Sequence, residues 1–152
     1  MMKDVQKTVS NLIDHQKVAF ISSVDENGFP NTKAMLPPRE REGIQVFYFT
    51  TNTSSLRVAQ YRSCANACIY FCDRRFFRGV MLIGSMEVLT DAATKERIWR
   101  KGDTMYYPGG VTDPDYCVLR FTATKGRFYS SLHSENFEIG VFLTPENSKP
   151  YR

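Results

Sequence analysis

Apolar residues recur at Val5, Val9, Leu12 and Ile13, a helical spacing that predicts a short amphipathic helix at the start of the chain. From Lys17 the pattern becomes that of strands. Residues 18–24, Val-Ala-Phe-Ile-Ser-Ser-Val, lead into Asp25-Glu26-Asn27-Gly28, a reversal signal because Asn and Gly tolerate positive φ. Pro30 opens the next strand, where a missing N–H costs little, and Pro37-Pro38 ends it after Leu36. A polar loop over 39–43 precedes an aromatic strand over 44–49. Ser54 or Ser55 then caps a helix reaching about Tyr61, with Leu56, Val58 and Ala59 as its apolar contacts. Strands follow over 67–72 and 79–89. Thr90 or Asp91 caps a helix over 92–101 that carries Ile98 and Trp99 on one side. Residues 102–114, with Tyr106-Tyr107-Pro108-Gly109-Gly110, read as an ordered aromatic loop. A last strand covers 116–121, with Arg127-Phe128-Tyr129 beyond it, and the polar stretch from Ser130 shows no element.

Six short strands, mostly sequential antiparallel neighbours with three helices in the connections, predict a mainly β fold with peripheral helices. Such strands close economically into a small barrel, which leaves no exposed edge. At 152 residues the chain is expected to be one domain over 1–152 with a single core, and residues 130–152 form an extension of unread structure.

Composition narrows the function classes. The aromatic share of 13% favours strands and flat-ligand pockets, although a large apolar core explains it equally well. The net charge of +4 is modest and its basic residues are scattered among acids. Their densest run, Asp73-Arg74-Arg75-Phe76-Phe77-Arg78, reads as a solvated turn, so no nucleic-acid partner is expected. Residues 1–12 lack the apolar region of a secretory signal, and no run is long enough to span a bilayer. A cytoplasmic protein without a membrane partner is the expectation. Cys64, Cys68 and Cys72 recur every four residues, yet 67–72 is rich in β-formers and no C-x-x-C pair or nearby histidine accompanies them. Reduced, packed thiols are expected there rather than a metal site.

The candidate chemistry lies in two places. Lys33 stands on the strand after the hairpin, and the aromatic strand Val46-Phe47-Tyr48-Phe49 ends in Thr50-Thr51-Asn52-Thr53-Ser54-Ser55, with Leu56 and Arg57 following. Two cations and a dense set of donors, brought together by strand pairing, describe a pocket for a phosphate monoester, which is costly to desolvate without charge-assisted hydrogen bonds. Taken singly, Lys33 reads as a solvated strand residue and the Thr/Ser run as a turn with a helix cap.

Three segments, Gly28 to Met35, Tyr48 to Val58 and Arg78 to Gly84, resemble in order and spacing the pyridoxamine 5'-phosphate oxidase-like family of FMN-binding split barrels. Within it the small general-stress-protein-type subfamilies are the most similar, on Asp91 and on Trp99 to Asp115. The resemblance implies a six-stranded antiparallel split β-barrel that binds FMN at a homodimer interface. By the family pattern Lys33 contacts the FMN phosphate, and Ala34, Met35 and Leu36 run along the flavin's pyrimidine edge. Thr50 and Thr51 touch the flavin and ribityl chain, while Ser55 and Arg57 belong to the phosphate-binding loop. Phe49, Met35 and Met81 are candidate walls for the ring. The chain departs from the family at Leu56, where a second basic residue is common, and at Gly79, where pyridoxamine phosphate oxidases carry glutamine. The implied activity is an FMN-dependent oxidoreductase using a nicotinamide or other small-molecule redox substrate. A non-catalytic flavin-binding stress protein is the alternative. Vitamin B6 phosphate oxidation ranks below both, because neither Arg127-Phe128-Tyr129 nor Pro150-Tyr151-Arg152 supplies the arginine-histidine substrate motif. Other split-barrel members use haem, FAD or a deazaflavin.

Overall fold

The helical period at the start of the chain forms α1 (Val5–Asp14), and Asp4 caps it by accepting the Lys7 N–H at 3.0 Å. Its buried side chains are Val9, Leu12 and Ile13, three of the four residues that carried the pattern. The structure is a computed structural model and describes residues 4–140.

The strands are β1 (Ala19–Val24), β2 (Pro30–Met35), β3 (Glu40–Glu42), β4 (Val46–Asn52), β5 (Asn66–Asp73), β6 (Arg78–Leu89), β7 (Tyr116–Tyr129) and β8 (Ser134–Glu138). Helix α2 (Leu56–Ser63) links β4 to β5, and α3 (Ala92–Ile98) with two short 3-10 turns links β6 to β7. Every pairing is antiparallel, in the order β2-β1-β5-β6-β7-β4-β3, with β8 also on β7. The β1–β2 turn matches its sequence signal. Asp25 accepts the Asn27 and Phe29 N–H groups at 3.0 and 2.9 Å, and Gly28 takes φ 83°.

The mainly β, antiparallel architecture and the split barrel implied by the resemblance agree with the structure, but the strand count and the closed, edge-free barrel suggested by the strand pattern alone do not. Among the described residues eight strands form rather than six. Glu-Arg-Glu in β3 and Ser-Glu-Asn-Phe-Glu in β8 pair along one side of the sheet only, and such strands lack the apolar alternation that marks a strand. Strand β7 runs through 122–126 as well, because its ends serve different neighbours: β4 over 116–122, β6 over 118–129 and β8 over 125–129. The sheet does not close. β2 and β3 end its order, so the barrel is split, and the expected absence of free edges does not hold. Helix α3 stops at Ile98, three residues before the expected end, and Trp99 is its cap. Of the extension from 130, β8 occupies 134–138, while residues 141–152 lie outside the described residues.

The core gathers Ile21, Phe47, Ile69, Phe71, Leu82, Leu119 and Phe121 of the sheet with Val9, Leu12 and Ile13 of α1. Phe47 lies centrally, its ring 6.0 Å from Phe71 and 6.2 Å from Phe121. At the register shift after Ile83 a Cβ on Gly84 would stand 1.9 Å from the Thr122 carbonyl oxygen, so only glycine lets β6 and β7 approach there. A second cluster covers the other face of β4 and β7 with Tyr48, Ile98, Tyr107, Tyr116 and Val118. Among the described residues no helix is long and apolar enough to cross a membrane.

Candidate functional site

The split leaves two strand edges without sheet partners. Among the described residues β2 pairs with β1 alone, and β3 covers β4 only from Val46 to Tyr48. A cleft of about 230 Å³ has walls from both: Lys33, Ala34, Met35 and Leu36 on the β2 side, Phe49, Thr50, Thr51 and Asn52 on β4. Arg57 from α2, Pro37 and Arg39 from the β2–β3 link, and Tyr106 and Tyr107 from the loop after α3 complete it. Strand register explains the cation. Lys33 pairs with Ile21 and Met35 with Ala19, so both side chains project on the face where Ile21 and Ala19 are buried.

The β4–α2 turn supplies hydrogen-bond donors. Its backbone is pinned by Asp115, whose carboxylate accepts the Ser54 N–H and the Asn52 Nδ2, both at 2.8 Å. Those bonds, the Ser54 N–H foremost, hold the Asp115 carboxyl below its ordinary range. Ser55 occupies the N-cap of α2, yet its hydroxyl makes no capping bond. Its Oγ is buried without a hydrogen-bond partner among the described residues, and so is the Arg57 Nε. Arg57 Nη2 reaches the Thr51 hydroxyl at 3.3 Å, a long and weak contact. Buried donors left unsatisfied cost free energy, and here they gather at the positive end of a helix dipole. This donor set suits a phosphate.

The opposite wall is aromatic and fixed. Tyr107 is buried, its ring 4.8 Å from Tyr116 and 6.2 Å from Trp99, whereas Tyr106 remains 49% exposed at the rim. Burial pushes the Tyr116 phenol up to about 12 and raises Tyr107, with the Thr50 hydroxyl opposing the latter shift. Arg39 is held in an ion pair with Asp103, which keeps the Asp103 carboxyl below the usual carboxylate range.

Seven of the eight residues singled out from the sequence, Lys33, Ala34, Met35, Leu36, Thr50, Thr51 and Arg57, line this one cleft. Ser55 is not a wall residue and contributes only its buried hydroxyl. Met81, a candidate ring wall in the sequence, sits on β6 opposite Tyr70 and away from the cleft, while Phe49 and Met35 do line it. At Gly79 a Cβ would fall 1.9 Å from the Tyr70 hydroxyl, so the phenol fills that side. Asn52, part of the donor run read from the sequence, also lines the cleft, whereas Arg39 escaped that reading and has no local signal because its partner lies 64 residues away.

An open antiparallel barrel with a donor-lined cleft at its split is the architecture of the split-barrel class. The chain belongs to the pyridoxamine 5'-phosphate oxidase family, whose family model matches residues 5–130. A solved Clostridium acetobutylicum protein related to general stress protein 26 is 37% identical, with a TM-score of 0.82 over 91% of this chain and 97% of that one. General stress protein 26 from Bacillus anthracis shares the fold at 16% identity and a TM-score of 0.72, over 89% of this chain and 98% of its own. An FMN-binding, pyridoxamine 5'-phosphate oxidase-related protein from Nostoc punctiforme does so at 13% identity and 0.63, over 92% and 100%. No curated protein matches the chain.

Proposed function

We propose that the cleft holds FMN and that the protein is a homodimeric, cytoplasmic FMN-dependent oxidoreductase acting on a small-molecule redox substrate. The observation that carries this reading is the convergence of Lys33 and Arg57 on one cleft beside a turn whose Thr53 Oγ1, Ser55 Oγ and Arg57 Nε are buried without partners among the described residues. In this reading Lys33, Arg57, the Ser55 hydroxyl and the first N–H groups of α2 hold the phosphate. Thr50 and Thr51 serve the ribityl chain, and the β2 edge at Ala34 and Met35, unpaired among the described residues, offers backbone groups with Leu36 just beyond it to the pyrimidine edge. Phe49 and Tyr107 form apolar walls that exclude water. The bound flavin supplies hydride and electron transfer, and the protein orients it and controls access. Among the described residues no carboxylate or histidine lines the cleft, which suits chemistry carried by the cofactor.

Two features support a homodimer. At about 230 Å³ the cleft is smaller than the roughly 300–1,000 Å³ usual for ligand pockets, as a half-site would be. A row of neighbours in register, Ala34, Phe20, Tyr70 and Met81, also runs from the cleft across the outward face of four strands. Such an apolar row suits a second copy. The four free cysteines fit a reducing compartment.

The purified protein is expected to be yellow or to become so with FMN, and its flavin is expected to bleach anaerobically with NADH or NADPH and to turn over once an acceptor is added. FMN that binds but is reduced no faster than free flavin would leave a flavin-sequestering stress protein. Protein that stays colourless after incubation with FMN contradicts both. Pyridoxal phosphate formation is not expected, since Arg127 is engaged by Asn136 at 2.7 Å and Ser134 at 2.5 Å.

A further inference from the structure

Arg39 lines the cleft, yet its guanidinium is committed elsewhere. Its N–H donates to the Tyr48 carbonyl at 2.7 Å, which fixes its backbone against β4. Its Nη1 and Nη2 donate to the two oxygens of Asp103 at 2.8 Å each, with the side chains only 10% and 6% exposed. The same carboxylate accepts the Arg100 N–H at 2.8 Å, and Arg100 Nη2 returns to the Arg39 carbonyl at 2.5 Å. From Asp103 the chain turns tightly, its carbonyl accepting the N–H groups of both Tyr106 and Tyr107 at 2.9 Å. A fork-to-fork pair thus fastens the segment bearing both tyrosines to the link between β2 and β3.

A buried ion pair is a poor device for stability alone, because desolvation offsets most of the attraction. What a bidentate guanidinium–carboxylate pair adds is fixed orientation, which a lysine does not reproduce. We propose that Arg39 and Asp103 are positioning residues: their pair clamps residues 100–107 as a strap whose tyrosines form one wall of the cleft, and the clamp sets how long a bound flavin stays. The ligand half of this inference rests on the FMN reading; the strap half does not.

Two readouts separate them. Trp99 is the only tryptophan of the chain and packs on Tyr107 and Tyr116, so its fluorescence reports strap docking without any ligand. In Arg39→Lys and in Asp103→Asn, Trp99 is expected to become more accessible to acrylamide quenching. FMN is expected to leave about tenfold faster or more, with its association rate little changed. The charge-exchanged double variant, Arg39→Asp with Asp103→Arg, is expected to regain part of both. Quenching and FMN release equal to the native protein in both single variants would overturn the proposal. Increased quenching with unchanged FMN release would overturn the claim on ligand retention. Native protein that binds no FMN would overturn that claim together with the flavin reading, and the Trp99 result would then decide the strap alone.

Discussion

Changing Lys33 and Arg57 together to alanine is expected to weaken FMN binding by about 3–6 kcal/mol, from roughly 1.5–3 kcal/mol for each charged hydrogen bond. That is about two to four orders of magnitude in affinity. Arg57 is expected to carry the larger share. It is half-buried, its Nε has no partner among the described residues, and its 3.3 Å contact with Thr51 is too weak to compete with a phosphate. Lys33 is exposed, so its attraction is screened and its single replacement should matter less as salt rises. Fluorescence titration of the four proteins at two ionic strengths measures this. Urea unfolding should change little, because neither side chain belongs to the core. Unchanged affinity in the double variant would remove both residues from the phosphate site.

Phe47→Ala is expected to destabilise the fold by about 3–5 kcal/mol, a large part of a typical domain's stability. Its ring is fully buried and touches rings from β5 and β7, so truncation opens a cavity where three strands meet and where rigid sheet backbone limits collapse. The effect is expected as a lowered urea midpoint with an unchanged slope. The site should suffer only indirectly. Phe49, Thr50 and Thr51 follow Phe47 on the same strand, so the folded fraction should still bind FMN. A shift below about 1 kcal/mol would mean that Phe47 does not anchor the interior.

What the sequence disclosed follows the physics of each element. Strands β1, β5 and β6 and helix α1 were legible because one face of each meets the core, which imprints a period on the residues. Strands β3 and β8 were not, since Glu-Arg-Glu and Ser-Glu-Asn-Phe-Glu satisfy their backbone on one side and leave most side chains in water. The phosphate-type donors were legible as a local run, Thr50 to Arg57. Lys33 does join them, but across the split between β2 and β4 rather than by the strand pairing the sequence suggests, since four strands separate the two in the sheet order and no local pattern encodes the split. The Arg39–Asp103 pair spans 64 residues and had no signal at all. Ser55 looked like a helix cap, and only the geometry shows that its hydroxyl leaves the helix uncapped.

Titration with FMN and with riboflavin, side by side, bears most directly on the anion site, because the two ligands share a ring and ribityl chain and differ by the phosphate alone. Binding of FMN at least about a hundredfold tighter than riboflavin is expected, matching two charged contacts to phosphate. Equal affinities, or no binding of either, would contradict a phosphate held between the β2 lysine and the α2 arginine.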